Sequence, residues 1–342
     1  MKRSLLLGLC MAAALMVQAA VAVPDLGNAR IIVLANNLQN YYYNYDESER
    51  PSYSDDEGRA AKTQKIVQMM LASNADIFAF CEVEAKPITL KYLVSELNKL
   101  VGDSAYTEVY DGINVATDSY DNAIKSGFIY KRATVRPLGS NYAATKTAYY
   151  KNTMRIQAWT EIATGESFTL SMNHFKAGQT ASDPDKRVTN AKQLLSGLAT
   201  SSKIMDPDIL IMGDFNAQMD EGCITMILAA GYEEQLLRFD ENAYSYVYRG
   251  AREFIDHAFA NSLMAQQITG AAVWHTNTSM ATSYRYSDHD AVMVGLRLGE
   301  EVEPQGVEVI TVDEPAQKIL RNGQLIIIRS GVEYTITGTR VY

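Results

Sequence analysis

The chain has 342 residues, 47% of them hydrophobic, and carries 31 basic against 40 acidic side chains, a formal charge of −9. Such a chain can bury one large core or two ordinary ones, and its acidic balance argues against non-specific nucleic-acid binding through a broad basic surface. A local basic groove, or metal ions that neutralise phosphate, remain compatible with it, whereas three cysteines are too few for a disulfide framework.

The first segment, "MKRSLLLGLCMAAALMVQAAVAVPD", has a basic start at Lys2 and Arg3 and then an apolar stretch. Ala20-Val21-Ala22 supplies the small residues that a signal peptidase requires. Residues 1–22 are therefore expected to be a signal peptide. No stop-transfer flank follows, which argues against a permanent membrane helix, and bulky Leu9 before Cys10 argues against a lipid anchor. The mature chain is expected in the periplasm, on the cell surface or in the medium. Without Lys2 and Arg3 it has 29 basic to 40 acidic residues, a formal charge of −11. Only Cys81 and Cys223 would remain, enough for one disulfide. No later stretch reaches transmembrane length.

Downstream, "ARIIVLANN", "ADIFAFCEVE", "SGFIYKRATV", "SFTLSMNHF", "DILIMGDFN", "FIDHAFAN" and "DAVMVGLRL" read as strands, each ending in a polar cluster. Helical spacing lies between them. Ile66, Met69 and Met70 share a face in "EGRAAKTQKIVQMMLASN", with Asn74 as its end. "LKYLVSELNKLVG" closes at Gly102, and Ala191, Leu194, Leu195 and Leu198 mark a third helix. Strands and helices mix without the regular alternation of a parallel barrel, so the fold class is α+β, sheets covered by helices. Residues 23–299 form the main domain. Glu300, Glu301, Glu303, Pro304 and Gly306 open a solvated linker over 300–315. The tail, 316–342, places Asn322-Gly323 and Ser330-Gly331 between alternating apolar runs, the pattern of a small three-stranded meander. It resembles C-terminal segments of exported bacterial proteins, some of which act as sorting signals.

The strand ends carry a series of polar residues: Asn36-Asn37, Glu82, His174, Asp214 and Asn216, Asp256, and Ser287-Asp288-His289. Each alone has a plain explanation. Gly-Asp-x-Asn is common turn chemistry, a lone histidine is usually structural, and Ser-Asp-His can be an ordinary loop. Asp256 is harder to dismiss, because a carboxylate inside an apolar strand is costly to bury unpaired. Together the pieces suggest strands projecting functional groups into one cleft.

The series "NNLQNY", "CEVE", "MNHFKA", "GDFN", "FIDHAF" and "YSDHDAV" resembles the endonuclease/exonuclease/phosphatase superfamily of metal-dependent phosphoesterases, from about Arg30 to Leu298. The wording looks most like secreted bacterial nuclease-like members. The resemblance implies a four-layer α/β/β/α sandwich of two packed mixed β-sheets flanked by helices. It implies Mg²⁺, with Mn²⁺ as a substitute, held by Glu82 with Asn37 and Asp288. It further implies His289 on a phosphate oxygen with Asp256 holding its ring, Asp214 polarising the attacking water, Asn216 orienting water or phosphate, and His174 contacting phosphate from the other side. Hydrolysis of this kind needs an in-line water and positive charge on the phosphoryl group, which a hard cation on oxygen ligands supplies.

One position departs from the pattern. Gln39 stands where many nuclease members carry an acid, which leaves the second carboxylate near the metal in question. Cys81 replaces a common Gln and reads as core packing. Lys176, Arg187 and Arg155 are candidate phosphate contacts, an ion pair being the plainer reading of each. Tyr246, Tyr248 and Tyr286 are candidates to shape the pocket, with Tyr246 the substrate contact. The Tyr-rich "NYYYNYDESERPSY" is either a base-stacking surface or a loop anchored by aromatics. The expectation is an exported, monomeric, Mg²⁺-dependent phosphodiesterase acting on DNA or RNA, with no stable membrane insertion. The alternatives are a phosphatase or phosphodiesterase on phospholipid, sphingomyelin or sugar or inositol phosphate, and an inactive binding protein on the same scaffold. Zinc is not expected, since no short His/Cys ligand spacing occurs.

Overall fold

The computed structural model describes residues 21–44, 52–111, 124–144, 153–200, 206–302, 317–321, 324–329 and 332–335. The expected signal peptide, apart from its last two residues, lies outside them. The chain divides into two units, Met1–Glu303 and Pro304–Tyr342.

The first unit is built on two six-stranded sheets, its strands numbered in chain order. One sheet holds β1 (Ile31–Tyr41), β2 (Ile77–Glu84), β3 (Tyr106–Glu108), β4 (Ile124–Lys131), β13 (Ile268–Trp274) and β14 (Ala291–Leu296), arranged β13-β14-β1-β2-β4-β3. The other holds β5 (Val135–Ala143), β6 (Met154–Glu161), β7 (Ser167–His174), β8 (Ile209–Asp214), β9 (Tyr232–Glu234) and β12 (Asp256–Asn261), arranged β5-β6-β7-β8-β12-β9. Both are mixed, with β1–β2 and β7–β8 the parallel pairs. A two-stranded hairpin, β10 (Tyr246–Tyr248) and β11 (Ala251–Glu253), stands apart from them.

The sheets pack face to face through Val33, Ala35, Phe128, Trp159, Leu170, Met212, Ala258 and Val294. Helices α1 (Asp56–Ser73) and α2 (Pro87–Val101) cover the outer face of the first sheet through Ile66, Met70, Leu90 and Leu93. Helices α3 (Asp183–Thr200) and α4 (Gly222–Ala229) cover the second through Ala191, Leu194, Ile224 and Ile227. This is the four-layer sandwich implied by the resemblance. Short helices α5 (Leu236–Phe239) and α6 (Ser262–Ala265) flank β12 in sequence.

Local signals account for the helix ends. Asp55 caps α1 by accepting from Gly58 N at 2.7 Å, and Asn74 ends it in the left-handed conformation. Pro87 opens α2, a position where its missing N–H has no helical partner, and Gly102 closes it. "SGFIYKRATV" is two strands of different sheets, β4 and β5, because the chain turns after Lys131. Cys81 and Cys223 are both buried and both free, so no disulfide joins them.

The second unit contains three antiparallel strands, β15 (Gln317–Arg321), β16 (Gln324–Arg329) and β17 (Val332–Thr335). The turn dipeptides Asn322-Gly323 and Ser330-Gly331 lie outside the described residues.

Candidate active site

Strand register gathers the polar residues. The parallel β7–β8 pair sets His174 opposite Asp214, and the antiparallel β12–β8 pair sets Asp256 opposite the same residue. Three neighbouring strands thus end in one row. The other sheet adds Asn37, which pairs with Cys81, and then Glu82. Glu82 lies in the left-handed region at φ 52°, and so does Asn216 at φ 50°. Non-glycine residues rarely adopt that conformation, and it tends to persist where a side chain must be aimed. Gly213 has φ 135°, and a Cβ there would lie 2.0 Å from the carbonyl oxygen of Asn173. The glycine lets β8 lie flush against β7 immediately before Asp214.

The side chains form one network. Asn37 Nδ2 donates to Glu82 Oε1 at 2.9 Å and to Asp214 Oδ2 at 3.0 Å. Asn40 N donates to Glu82 Oε2 at 2.9 Å. Asn216 donates to Asp214 through its backbone at 2.8 Å and through its amide at 3.2 Å. His174 Nε2 lies 3.6 Å from Glu82 and 3.8 Å from Asp214. From the other side His289 Nε2 lies 3.8 Å from Asp214, while its Nδ1 is 2.7 Å from Asp256 Oδ2. Burial alone would disfavour a charged His289, but the Asp256 and Asp214 carboxylates outweigh it and hold its pKa well above the ordinary value. Burial raises Asp256 in turn, held back by the same histidine. Burial also raises Asp288, against the pull of His289 and with a push from Glu82 and Asp214.

A second layer fixes His289, and of its members Asn277 alone was absent from the sequence reading. Ser287 Oγ donates to Asn37 O at 2.6 Å and accepts from His289 N at 3.2 Å. Asn277 Nδ2 donates to His289 O at 2.7 Å, and Asn36 Nδ2 reaches the carbonyls of His289 and Asp290. Asn277 follows β13 in a loop that carries none of the motifs read from the sequence. Lys62 was missed for another reason, since α1 was read from its apolar face alone. Its ammonium is buried and donates to Gln39 O and Ser52 Oγ, both at 2.8 Å. Burial pushes its pKa down to about 7, opposed by Glu82 and Asp288.

The secondary candidates separate. The Tyr246 ring lies 4.7 Å from that of His289, at the edge of the site. Lys176 is half-buried, its ammonium turned to Ala177 O at 2.6 Å. Arg187 takes the ion-pair reading: its guanidinium donates twice to Glu221 and also to the carbonyls of Lys176 and Gly178. Buried there, it clamps the loop after β7 and has no face left for substrate. Arg155 is likewise buried, against Asn141 and Asp111 O. In the Tyr-rich segment, Tyr41 and Tyr42 are buried, Tyr43 packs on Tyr92 and Tyr53 OH accepts from Tyr42 N. The described tyrosines anchor the loop. Residues 45–51 lie outside the described residues.

Two sets of side chains offer donor atoms within 4.8 Å of one another: Glu82 with His174 and Asp214, and Asp214 with Asp256 and His289. Carboxylates outnumber cations here, and both ring nitrogens of His174 are buried without a hydrogen-bond partner. A hard divalent cation on oxygen ligands fits that excess of negative charge.

The model of the Endonuclease/Exonuclease/phosphatase family matches residues 37–289. Among solved structures, the chain is similar to the endonuclease/exonuclease/phosphatase of Bacteroides vulgatus, at 15% identity over 78% of this chain and 98% of that one, TM-score 0.56. It is similar to the mannosyl-6-phosphatase of Bacteroides thetaiotaomicron at 16% identity over 78% and 100%, TM-score 0.51. The human Nocturnin catalytic domain with bound sulfate shows 15% identity over 78% and 94%, TM-score 0.51. At such identities the likeness is one of fold. No curated protein matches the chain.

Proposed function

The chain belongs to the endonuclease/exonuclease/phosphatase family, whose members are divalent-metal-dependent phosphoric ester hydrolases, and on that premise we propose that it is a Mg²⁺-dependent phosphodiesterase acting on nucleic acid. The observation that carries the proposal is Asp214, which stands 3.8 Å from both His174 and His289 and accepts from Asn37 and Asn216.

In this reading Glu82, with Asn37 and Asp288 beside it, holds the cation. When bound, the metal supplies Lewis-acid charge to the phosphate and its leaving oxygen. His289 is the charged donor to a phosphate oxygen, its ring fixed by Asp256 as a carboxylate fixes imidazole in other hydrolytic sites. Asp214 orients the attacking water and takes up its proton, and Asn216 keeps that carboxylate in place. His174, with two unanswered ring nitrogens, meets the phosphate from the opposite side. Tyr246, beside His289, and exposed Tyr248 on the same strand give a nucleobase a face on which to stack. Export by residues 1–22 belongs to the proposal and is supported by the sequence of that segment.

The test is a substrate panel of plasmid DNA, single-stranded DNA, RNA, sphingomyelin and a sugar phosphate, with Mg²⁺ or Mn²⁺. Nucleic acid should be cleaved fastest, and EDTA should abolish turnover. Preference for the lipid or the phosphosugar would reassign the substrate. No turnover on any of them would leave a binding protein.

A further inference from the structure

Beside the catalytic network lies a cleft of about 380 Å³ between α1 and the 282–288 loop. Lys62, Lys65 and Arg285 line it, and Asp288 is its single lining carboxylate. In a chain of net charge −9 this is a local reversal of sign. No carboxylate among the described residues pairs with any of the three cations. Their hydrogen bonds go to neutral oxygens instead: Lys62 to Gln39 O and Ser52 Oγ, Lys65 to the carbonyls of Ser283 and Arg285, and Arg285 to those of Met280 and Thr278. Carbonyls satisfy some of the N–H groups but do not cancel the charges. Lys62 is only 8% exposed and hydrogen-bonds to no carboxylate, Glu82 and Asp288 acting on it only through space, an arrangement that gains when an anion arrives and holds it charged.

Position links the cleft to the chemistry. Gln39 and Ser287 also line it, and Ser287 Oγ donates to Asn37 O inside the catalytic network. The volume falls within the range of small-ligand sites and exceeds the needs of one phosphate, so a phosphorylated sugar fits.

We propose that this cleft docks a second anionic group of the substrate, a phosphate monoester. The preferred substrates are then phosphorylated chain ends or short phosphorylated diesters, with the scissile diester at Asp214 and His289. This rests on the phosphodiesterase reading and narrows its substrate class.

The test is equilibrium binding of three probes in EDTA, by calorimetry on the full chain: the dinucleotide TpT and its 5′- and 3′-phosphorylated forms, pTpT and TpTp. One phosphorylated form should bind about tenfold tighter than TpT, as expected for one or two added charge-assisted contacts. The Lys65→Gln/Arg285→Gln variant should bring that advantage to about twofold or less, while Lys192→Gln, on the exposed side of α3, should leave it intact. Glutamine at 65 can still donate to the loop carbonyls, and a melting curve matching wild type checks the fold. Should the double variant melt early, the wild-type chain alone decides, since the favoured phosphorylated probe must lose affinity with added salt more steeply than TpT. Equal affinities for the three probes, an advantage that survives the double variant, or equal salt slopes would each overturn the proposal. Hydrolysis of TpT with Mg²⁺ is scored separately. A chain that binds as expected but cleaves nothing sinks the phosphodiesterase reading, whereas one that cleaves TpT but shows no phosphate advantage sinks only the cleft.

Discussion

Asp256 and His257 are consecutive residues of β12, and the alternation of a strand sends them to opposite faces of its sheet. On one face Asp256 pairs with His289 in the network around Asp214. On the other, His257 is ringed by Phe215, Phe254 and Phe259 at 5.6, 4.4 and 5.2 Å. Its Nε2 donates to Ala217 O at 2.9 Å, and Glu234 lies 3.9 Å from Nδ1. Both histidines are buried, yet burial pushes His257 down to about 4 while carboxylates hold His289 well up. Glu234, which no Lys or Arg among the described residues answers, is pushed up by burial to about 7. The lesson is that depth alone does not set the charge of a buried imidazole; the groups facing it do. The front of this strand is built to keep charge, and the back to exclude it.

That contrast can be broken from the front first. His289→Ala should lower kcat by about 10²–10⁴-fold, measured below its melting transition, which itself should drop because Asp256 is left buried without its partner. Comparable activity in the variant would remove His289 from the chemistry. A smaller effect should follow from Asp256→Asn. With the carboxylate gone His289 loses its strongest stabilising charge, so its pKa falls and the alkaline limb of the pH–rate profile moves to lower pH. An unmoved limb would mean that another group titrates there.

The back gives the smallest signal, and it appears in stability. Glu234 has a folded pKa of about 7 against an ordinary 4.5, so it contributes stability below pH 4.5 that is lost as pH rises through 7. His257 works oppositely. Its folded pKa of about 4 lies below the ordinary 6.5, so its burial costs stability below pH 4 and ceases to above 6.5. Glu234→Gln removes only the first effect. Relative to wild type, the variant should gain stability between pH 4.5 and 7, by up to about 3 kcal/mol, read from urea midpoints. A difference that stays flat with pH would show Glu234 ionised in the fold, and a change in kcat would show that front and back are coupled.

Much of the front was legible in the sequence because its residues terminate apolar strands. "GDFN" follows an uninterrupted run, and Asp256 stands out by interrupting one. What joins these pieces was less visible. β6 escaped notice because it is buried along its whole length yet carries Arg155, Gln157, Thr160 and Glu161, so neither an apolar run nor alternation marks it. Hairpin β10–β11 turns at Arg249-Gly250, flanked by strands of three residues, too short to show a period. The ion-pair reading of Arg187 could not name its partner, because Glu221 lies 34 residues away and only packing brings them together. The cationic cleft was hidden in the same way, its members drawn from α1 and a loop about 220 residues downstream.

The pairing of β1 with β14 has a further consequence. Ile31 lies beside Leu296, so the strand that delivers Asn37 is sandwiched between one from early in the chain and one from its far end. Contacts of such long sequence separation form late and slowly. The chain can therefore gain helices and hairpins well before it has a working centre, and hydrolytic power arrives as one of the last events of its maturation. Until β1 has both neighbours, the polar residues at the strand ends are not yet gathered.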